Sequence, residues 1–322
     1  MEDVPERGQS KPLLNAAQQI AHLKSKGVTF ELVSEEEAAE FLTSKTYFFK
    51  LYAYRDLFQK RVGGEHDGEY VGLDFGHLKM LASIDQQLRY TLLPLTLDVE
   101  HFARTKLMQH ITSRPDEDGY AIVSDYLSSL DVREHTRREQ EISRLGADVY
   151  CGELVRKYPL GSMPAWVFLE LATFGTLIDF YLFCSKRWND RRMKDEHYLL
   201  RQAKAARNAA AHSSNIINGF AGQKTTVKTS PQVGAALTYA GLSKRTRRAK
   251  MANPRLQQIA TLLYLHWQLV PAGTSRTRAI TDLARLRDQM SDCLEALPGN
   301  DAVQSSFRFL MVLFDKWFLQ PS

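Results

Sequence analysis

The run Arg207-Asn208-Ala209-Ala210-Ala211-His212 combines side chains that can hold an anion and move a proton. A guanidinium offers a planar fork of donors that matches a phosphate. An imidazole titrates near neutrality and serves as base or acid. Asn208 and His212 are four positions apart and share a helix face, with Arg207 one position round and long enough to fold toward them. Ala205 and Ala206 join the three motif alanines in keeping this helix stiff and thin, so that another helix or a polyanion can approach closely. The spacing alone is weak: 25 Arg and 9 His in 322 residues should give about 0.7 such pairs by chance. Three occur. Arg61 to His66 passes through Gly63 and Gly64 and reads as a loop, while Arg192 to His197 contains Asp195 and Glu196, which repel phosphate. Arg207 to His212 has no acid nearby. The alternative for it is a helix end whose polar residues only cap the last turn, where Asn, His and Arg are favoured.

Other side chains sort by the same reasoning. Glu100 with Arg104, and Asp85 with Arg89, are i,i+4 opposite charges, which support a helix by about 0.2–0.5 kcal/mol each. Glu170 lies in the most apolar stretch, 163–184, together with Asp179. A carboxylate buried there needs a partner, which Arg207 or His212 would supply. Those carboxylates also make the stretch a core helix rather than a membrane span. Arg104 and His110 fall about 240° apart on a helix and do not form a pair. No Gly-rich phosphate loop, HExxH, paired-carboxylate metal motif, or nucleophilic serine or cysteine setting is present, so no metal and no cofactor are expected.

The elements that must position these residues are helical. Apolar residues recur at spacings of three and four, with no run of alternating strands, so the class is all-α. A first helix is expected over 13–26, ended by Gly27, and a capping box of Ser34 with Glu37 opens the next after a short extended piece at 28–33. Residues 41–61 read as a helix whose aromatic face (Tyr47, Phe48, Phe49, Tyr52, Tyr54, Phe58) belongs to a core. Residues 63–72 are a loop, and 74–113 are helical with a break at Pro94, as two helices or one kinked helix. Helix and loop are both open for 119–130. A charged helix at 131–157, a buried one at 164–184 and a short one at 198–211 follow. After a polar loop at 213–230 come helices at 254–269, 275–297 and 302–319, with a soft domain boundary between 1–220 and 221–322.

Charge is unevenly placed. The net charge is only +5, yet residues 197–281 hold 13 Lys and Arg and no Asp or Glu, leaving about −8 on the rest. That asymmetry points to a polyanion partner, or to a basic surface paired with acids elsewhere in the fold. Its densest part is Lys244-Arg245-Thr-Arg247-Arg248-Ala-Lys250, which either contacts RNA phosphates or is only an exposed helix start or loop. Cys151, Cys184 and Cys293 are far apart without metal-ligand spacing, which fits free thiols in a reducing compartment. The first residues lack a signal-peptide pattern, so a cytoplasmic protein with no membrane contact is expected.

Five segments in order resemble the Abi-like (abortive infection) family within the HEPN superfamily of helical nucleases and nucleotide-binding proteins. They are Tyr47-Phe-Phe-Lys-Leu-Tyr-Ala-Tyr54; Asp85-Gln-Gln-Leu-Arg89; Glu100-His-Phe-Ala-Arg104-Thr105; Pro164-Ala-Trp166 with Glu170 and Phe174-Gly175; and Arg207-Asn208 with His212. The resemblance spans roughly 15–218. It implies an HEPN-type helical bundle with additional N- and C-terminal helices, dimerisation, metal-free RNA cleavage, and a role in bacteriophage defence or a toxin–antitoxin system. On this reading Arg207, Asn208 and His212 are catalytic, and Glu100, Arg104 and Glu170 support them around the cleft. Lys204, Lys244, Arg245, Arg247, Arg248 and Lys250 contact RNA, either a substrate or an RNA antitoxin. RNA carries its own nucleophile, so a base, positive charge on the phosphorane and an acid for the leaving 5′-oxygen suffice. One histidine does not easily serve as both base and acid, and a homodimer with a composite site follows. Two other readings stand beside it: a non-catalytic RNA- or nucleotide-binding module, and a protein-interaction scaffold.

Overall fold

The computed structural model describes residues 12–222, 224–297 and 301–320. Among these are fifteen α-helices and no strand, only two isolated bridges, Thr29 with Asp74 and Lys60 with Tyr70. The all-α class is therefore observed. The described residues form two compact units, one drawn from 12–86, 215–222, 289–297 and 301–307, the other from 87–214, 224–288 and 308–320.

In the first unit, α1 (Ala16–Lys24) and α2 (Glu35–Ser44) both open with capping boxes, at Asn15/Gln18 and at Ser34/Glu37. The aromatic run is not one helix. It divides into α3 (Phe48–Tyr52) and a 3-10 turn, Ala53–Leu57. Leu51, Tyr54 and Leu57 face the core, while Tyr47 and Phe49 are exposed, so the stripe is only partly buried. Asp85 does more than support its own helix. It is fully buried, and its carboxylate accepts Tyr54 Oη at 2.9 Å and the Ile216 and Ile217 amides at 2.9 and 2.8 Å.

The helix α4 (Phe75–Thr112) supplies 75–86 to the first unit and 87–112 to the second. It runs through Pro94 as one helix, so of the two forms open to this stretch the pair of separate helices is not adopted. Losing a helical hydrogen bond there costs about 3 kcal/mol, and burial of Leu88, Leu92, Leu95 and Val99 on either side offsets that loss.

In the second unit follow α5 (Ala121–Ser128), α6 (Val132–Arg144), α7 (Gly152–Lys157) and α8 (Ala165–Leu171), then α9 (Phe174–Arg187) and α10 (Arg191–Ala211). The region 119–130 is thus helical. The single charged helix expected over 131–157 is two, separated by a turn around 145–151. The apolar stretch is also two helices, because Thr173 leaves the helical conformation and caps α9 through the Thr176 amide. Among the described residues no helix is long and apolar enough to cross a membrane. The motif helix starts earlier than expected, at Arg191, because Asp190 accepts the Met193 amide at 3.1 Å and fixes the N-terminus. Beyond it lie α11 (Pro231–Tyr239), α12 (Lys244–Met251) and α13 (Pro254–Leu269), then α14 (Thr274–Ala296) and α15 (Asp301–Phe314). The three last helical regions fall where the sequence put them.

Candidate functional site at the end of α10

The motif helix packs on α9 and α13. Met193, Leu199, Leu200, Ala203, Ala206 and Ala210 form its buried face, and the alanines leave little between its backbone and its neighbours. Tyr198, Arg201 and His212 are exposed on the opposite side. At about 100° per residue, Asn208 and His212 belong to that solvent side, whereas Arg207 sits about 100° back toward the core. The structure reflects this: the Nε of Arg207 is buried with no hydrogen-bond partner, and its Nη1 donates to Asn208 Oδ1 at a long 3.4 Å.

Of the three expected supporting residues, Glu100 feels the charge of Arg207 and is ion-paired with Arg104. Arg104 donates through Nη2 to Glu100 Oε1 at 2.6 Å and to the Ala172 carbonyl at 2.7 Å, which ties α4 to the end of α8. The Nε of Arg104 is a second buried donor without a partner. Burial pushes the Glu100 carboxyl above its ordinary range, and the positive charges of Arg104 and Arg207 pull it back. One carboxylate thus faces two guanidiniums that are both incompletely hydrogen-bonded. Lys204 lies on the same flank. Its Nζ would stand 2.7 Å from a β-carbon added at Gly175, so the glycine at the start of α9 makes room for the ammonium.

Glu170 does not join them. It is exposed on α8, so the burial that was to demand a cationic partner does not occur. Asp179 is the carboxylate of that region with a buried partner, Arg138, at 2.5 Å.

His212 is the C-cap of α10 and is exposed, its amide bonding the Asn208 carbonyl at 3.0 Å. The next two amides close a Schellman motif, Ser213 to the Ala210 carbonyl at 3.2 Å and Ser214 to that of Ala209 at 2.9 Å. This geometry needs a left-handed residue at 213, normally glycine. Serine takes it with φ +54°, a strain of about 1–2 kcal/mol. The chain therefore ends its helix sharply after the histidine and leaves the imidazole in solvent, with no side-chain partner among the described residues. Arg207 and His212 do not touch within one chain. Five helical positions set them about 140° apart, with Asn208 between.

The rival pairs behave as structural residues. His197 is buried, its Nδ1 3.0 Å from the Ile178 carbonyl, and burial lowers its pKa. His66 sits in an exposed loop against Glu69 at 3.2 Å. His110 is held below its ordinary pKa by burial and by Lys106 and Arg114.

The basic cluster is the helix α12, capped by Ser243 onto the Thr246 amide at 3.1 Å. Lys244, Arg247 and Arg248 share one face and line a cleft of about 610 Å³ with residues 225–229, whereas Arg245 and Lys250 lie outside its lining. Lys250 is half-buried, which lowers its pKa. Not all of the acid-free segment is free charge: Arg278 pairs with Asp98 at 2.6 Å, and Arg276 caps the Trp267 and Val270 carbonyls. A second cleft of about 500 Å³ runs along α10, lined by Tyr198, Arg201 and Ala205 and by the polar segment 227–231. Sequence reasoning missed this cleft, since Tyr198 and Arg201 become neighbours of that loop only through the fold. The available signal was the seven-residue spacing of Tyr198, Ala205 and His212, and of Arg201 and Asn208, which puts them on one face of the helix.

Fold and site together define an all-helical protein with paired guanidiniums and an exposed histidine at one helix end. The chain belongs to the Abi-like protein family, whose model matches residues 40–218. That membership suggests a part in abortive-infection defence. No curated protein and no solved structure is significantly similar to the chain.

Proposed function

We propose that the protein is a metal-independent endoribonuclease of the HEPN type, acting in bacteriophage defence or as the toxin of a toxin–antitoxin pair. The observation that carries this reading is the end of α10: an exposed histidine with no side-chain partner among the described residues, one turn beyond an arginine whose Nε is unsatisfied. A base removes the proton of the ribose 2′-hydroxyl, the 2′-oxygen attacks the adjacent phosphorus, and an acid protonates the departing 5′-oxygen. The products are a 2′,3′-cyclic phosphate and a 5′-hydroxyl. Arg207 holds the phosphate and the growing charge of the phosphorane, with Arg104 and Glu100 fixing its position. Asn208, already in contact with Arg207, orients the phosphate or the imidazole.

His212 supplies proton transfer. Because Arg207 and His212 diverge within one chain, a second copy related by a two-fold axis completes the site, one histidine as base and the other as acid. Labelled RNA incubated with the protein and EDTA is expected to be cut, and His212→Ala to abolish cutting. Loss of cleavage on chelation, or full activity in His212→Ala, would sink the reading. A protein that stays monomeric at micromolar concentration and still cleaves would sink the composite site.

A further inference from the structure

The two clefts of the second unit share residues 227–229 in their walls. That shared segment is built, not merely exposed: the Thr225 amide donates to the Ala252 carbonyl at 2.7 Å, and buried Gln257 donates to the Val227 carbonyl at 2.9 Å. On one side stand the cations of α12 with Lys228; on the other stand Arg201 and Tyr198, half exposed at 50%. Arg201, Lys228, Lys244, Arg247 and Arg248 form no ion pair among the described residues.

The helix α12 is also locally unfavourable by itself. Five cations crowd its eight residues with no acid in the first turn, so neighbours repel at i,i+3 and i,i+4 and the leading ones oppose the helix dipole. A rule broken in this way is expected where a ligand supplies the missing charge. The one acid in either lining, Asp195, precedes Tyr198 on α10, at the end away from His212. From Arg201 and Ala205 the same helix face continues to Asn208 and His212, about 10 Å further along the axis.

We propose that this face is the track for a single strand of RNA, its phosphates on Lys228, Lys244, Arg247 and Arg248, a base stacked on Tyr198, and its onward path along α10 to Asn208 and His212. The proposal rests on the nuclease reading only for that last step. Exposed cations alone would suit an acidic peptide equally. An exposed aromatic ring between cations and a helix that leads to the histidine favours a strand with bases, since every base has a face to stack.

The test uses a fluorescent 2′-O-methyl 12-nucleotide RNA, which binds but has no free 2′-hydroxyl to attack, so the motif residues stay intact. Binding is titrated against salt for the full chain, for Lys228→Gln/Arg247→Gln/Arg248→Gln, and for Arg133→Gln/Arg137→Gln/Arg144→Gln. The last removes the same charge from the exposed surface of α6. The groove variant should bind at least about tenfold more weakly at moderate salt, and its log–log salt slope should fall by about 2, three contacts at about 0.7 each. The α6 variant should change less than about twofold. Tyr198→Ala should weaken binding roughly 5- to 100-fold with the slope unchanged.

Equal effects of the two triple variants, an unaltered Tyr198→Ala, or equal competition by polyglutamate of matching charge would overturn the track. Binding as described by a protein that cuts no RNA would refute the nuclease reading and leave the track standing. Cleavage with groove-independent binding would do the reverse.

Discussion

Acidification should destabilise the second unit most strongly through His266. It is fully buried on α13, with Nε2 3.1 Å from Asp98 Oδ2 and Nδ1 unpartnered. Burial holds the ring neutral and lowers its pKa from 6.5 to about 4, against the opposing pull of Asp98. In the unfolded chain the imidazole titrates normally, so as pH falls the unfolded state takes up the proton first. Stability from this site is complete above about pH 6.5 and drains away toward pH 4. At pH 5.0 the difference amounts to about 2 kcal/mol. Asp98 is held below its ordinary range by hydrogen bonds from Arg278 and His266 even though burial opposes this, and its own linked loss comes at lower pH, outside this window. His266→Gln keeps an N–H for Asp98 and removes the titration. Urea unfolding at pH 7.5 and 5.0 should show the native protein losing about 2 kcal/mol more than His266→Gln between the two conditions. Equal losses in both proteins would show that His266 is not held neutral, and the reasoning from burial would fail.

Three further outcomes follow. Arg104→Ala leaves Glu100 partly buried without its ion pair and frees the Ala172 carbonyl. It should cost about 2 kcal/mol in chemical denaturation, and adding Glu100→Gln should cost less than the sum of the two single changes. Ser213→Gly relieves the left-handed serine and should raise stability by about 1 kcal/mol without altering RNA cleavage; a loss of stability would contradict the strain. Gly175→Ala places a β-carbon against the Lys204 ammonium. Because that group is the end of a flexible chain it swings aside, so denaturation midpoints should barely move while RNA binding weakens about two- to fivefold.

Several parts of the structure were legible because local chemistry decides them. The Ser34 capping box, Gly27 after the first helix and the last three helical regions depend on residues a few positions apart. Elsewhere packing chooses between forms that the local signal leaves open, or a local signal overrides periodicity. Pro94 stays inside α4 because the leucines around it are buried. The apolar stretch breaks at Thr173 because one hydroxyl captures the Thr176 amide. Within the site, Asn208 and His212 on one face were readable from spacing, whereas the charge of Arg207 acts on Glu100 only because the fold brings together segments about a hundred positions apart. The exposure of Glu170 was not readable, because that order says nothing about which side of a short helix faces water. The clefts were hidden for a related reason: residues 225–231 and α10 are adjacent only after α13 brings them together.

The central claim is that the end of α10 cleaves RNA through the RNA's own 2′-hydroxyl. The most direct measurement uses two RNAs in EDTA that differ by a single 2′-deoxy substitution at the mapped cleavage position. The all-ribose strand should be cut there, leaving a 2′,3′-cyclic phosphate and a 5′-hydroxyl, and the substituted strand should stay intact at that position. Equal cleavage of both strands would contradict it, since the nucleophile would then have to come from elsewhere.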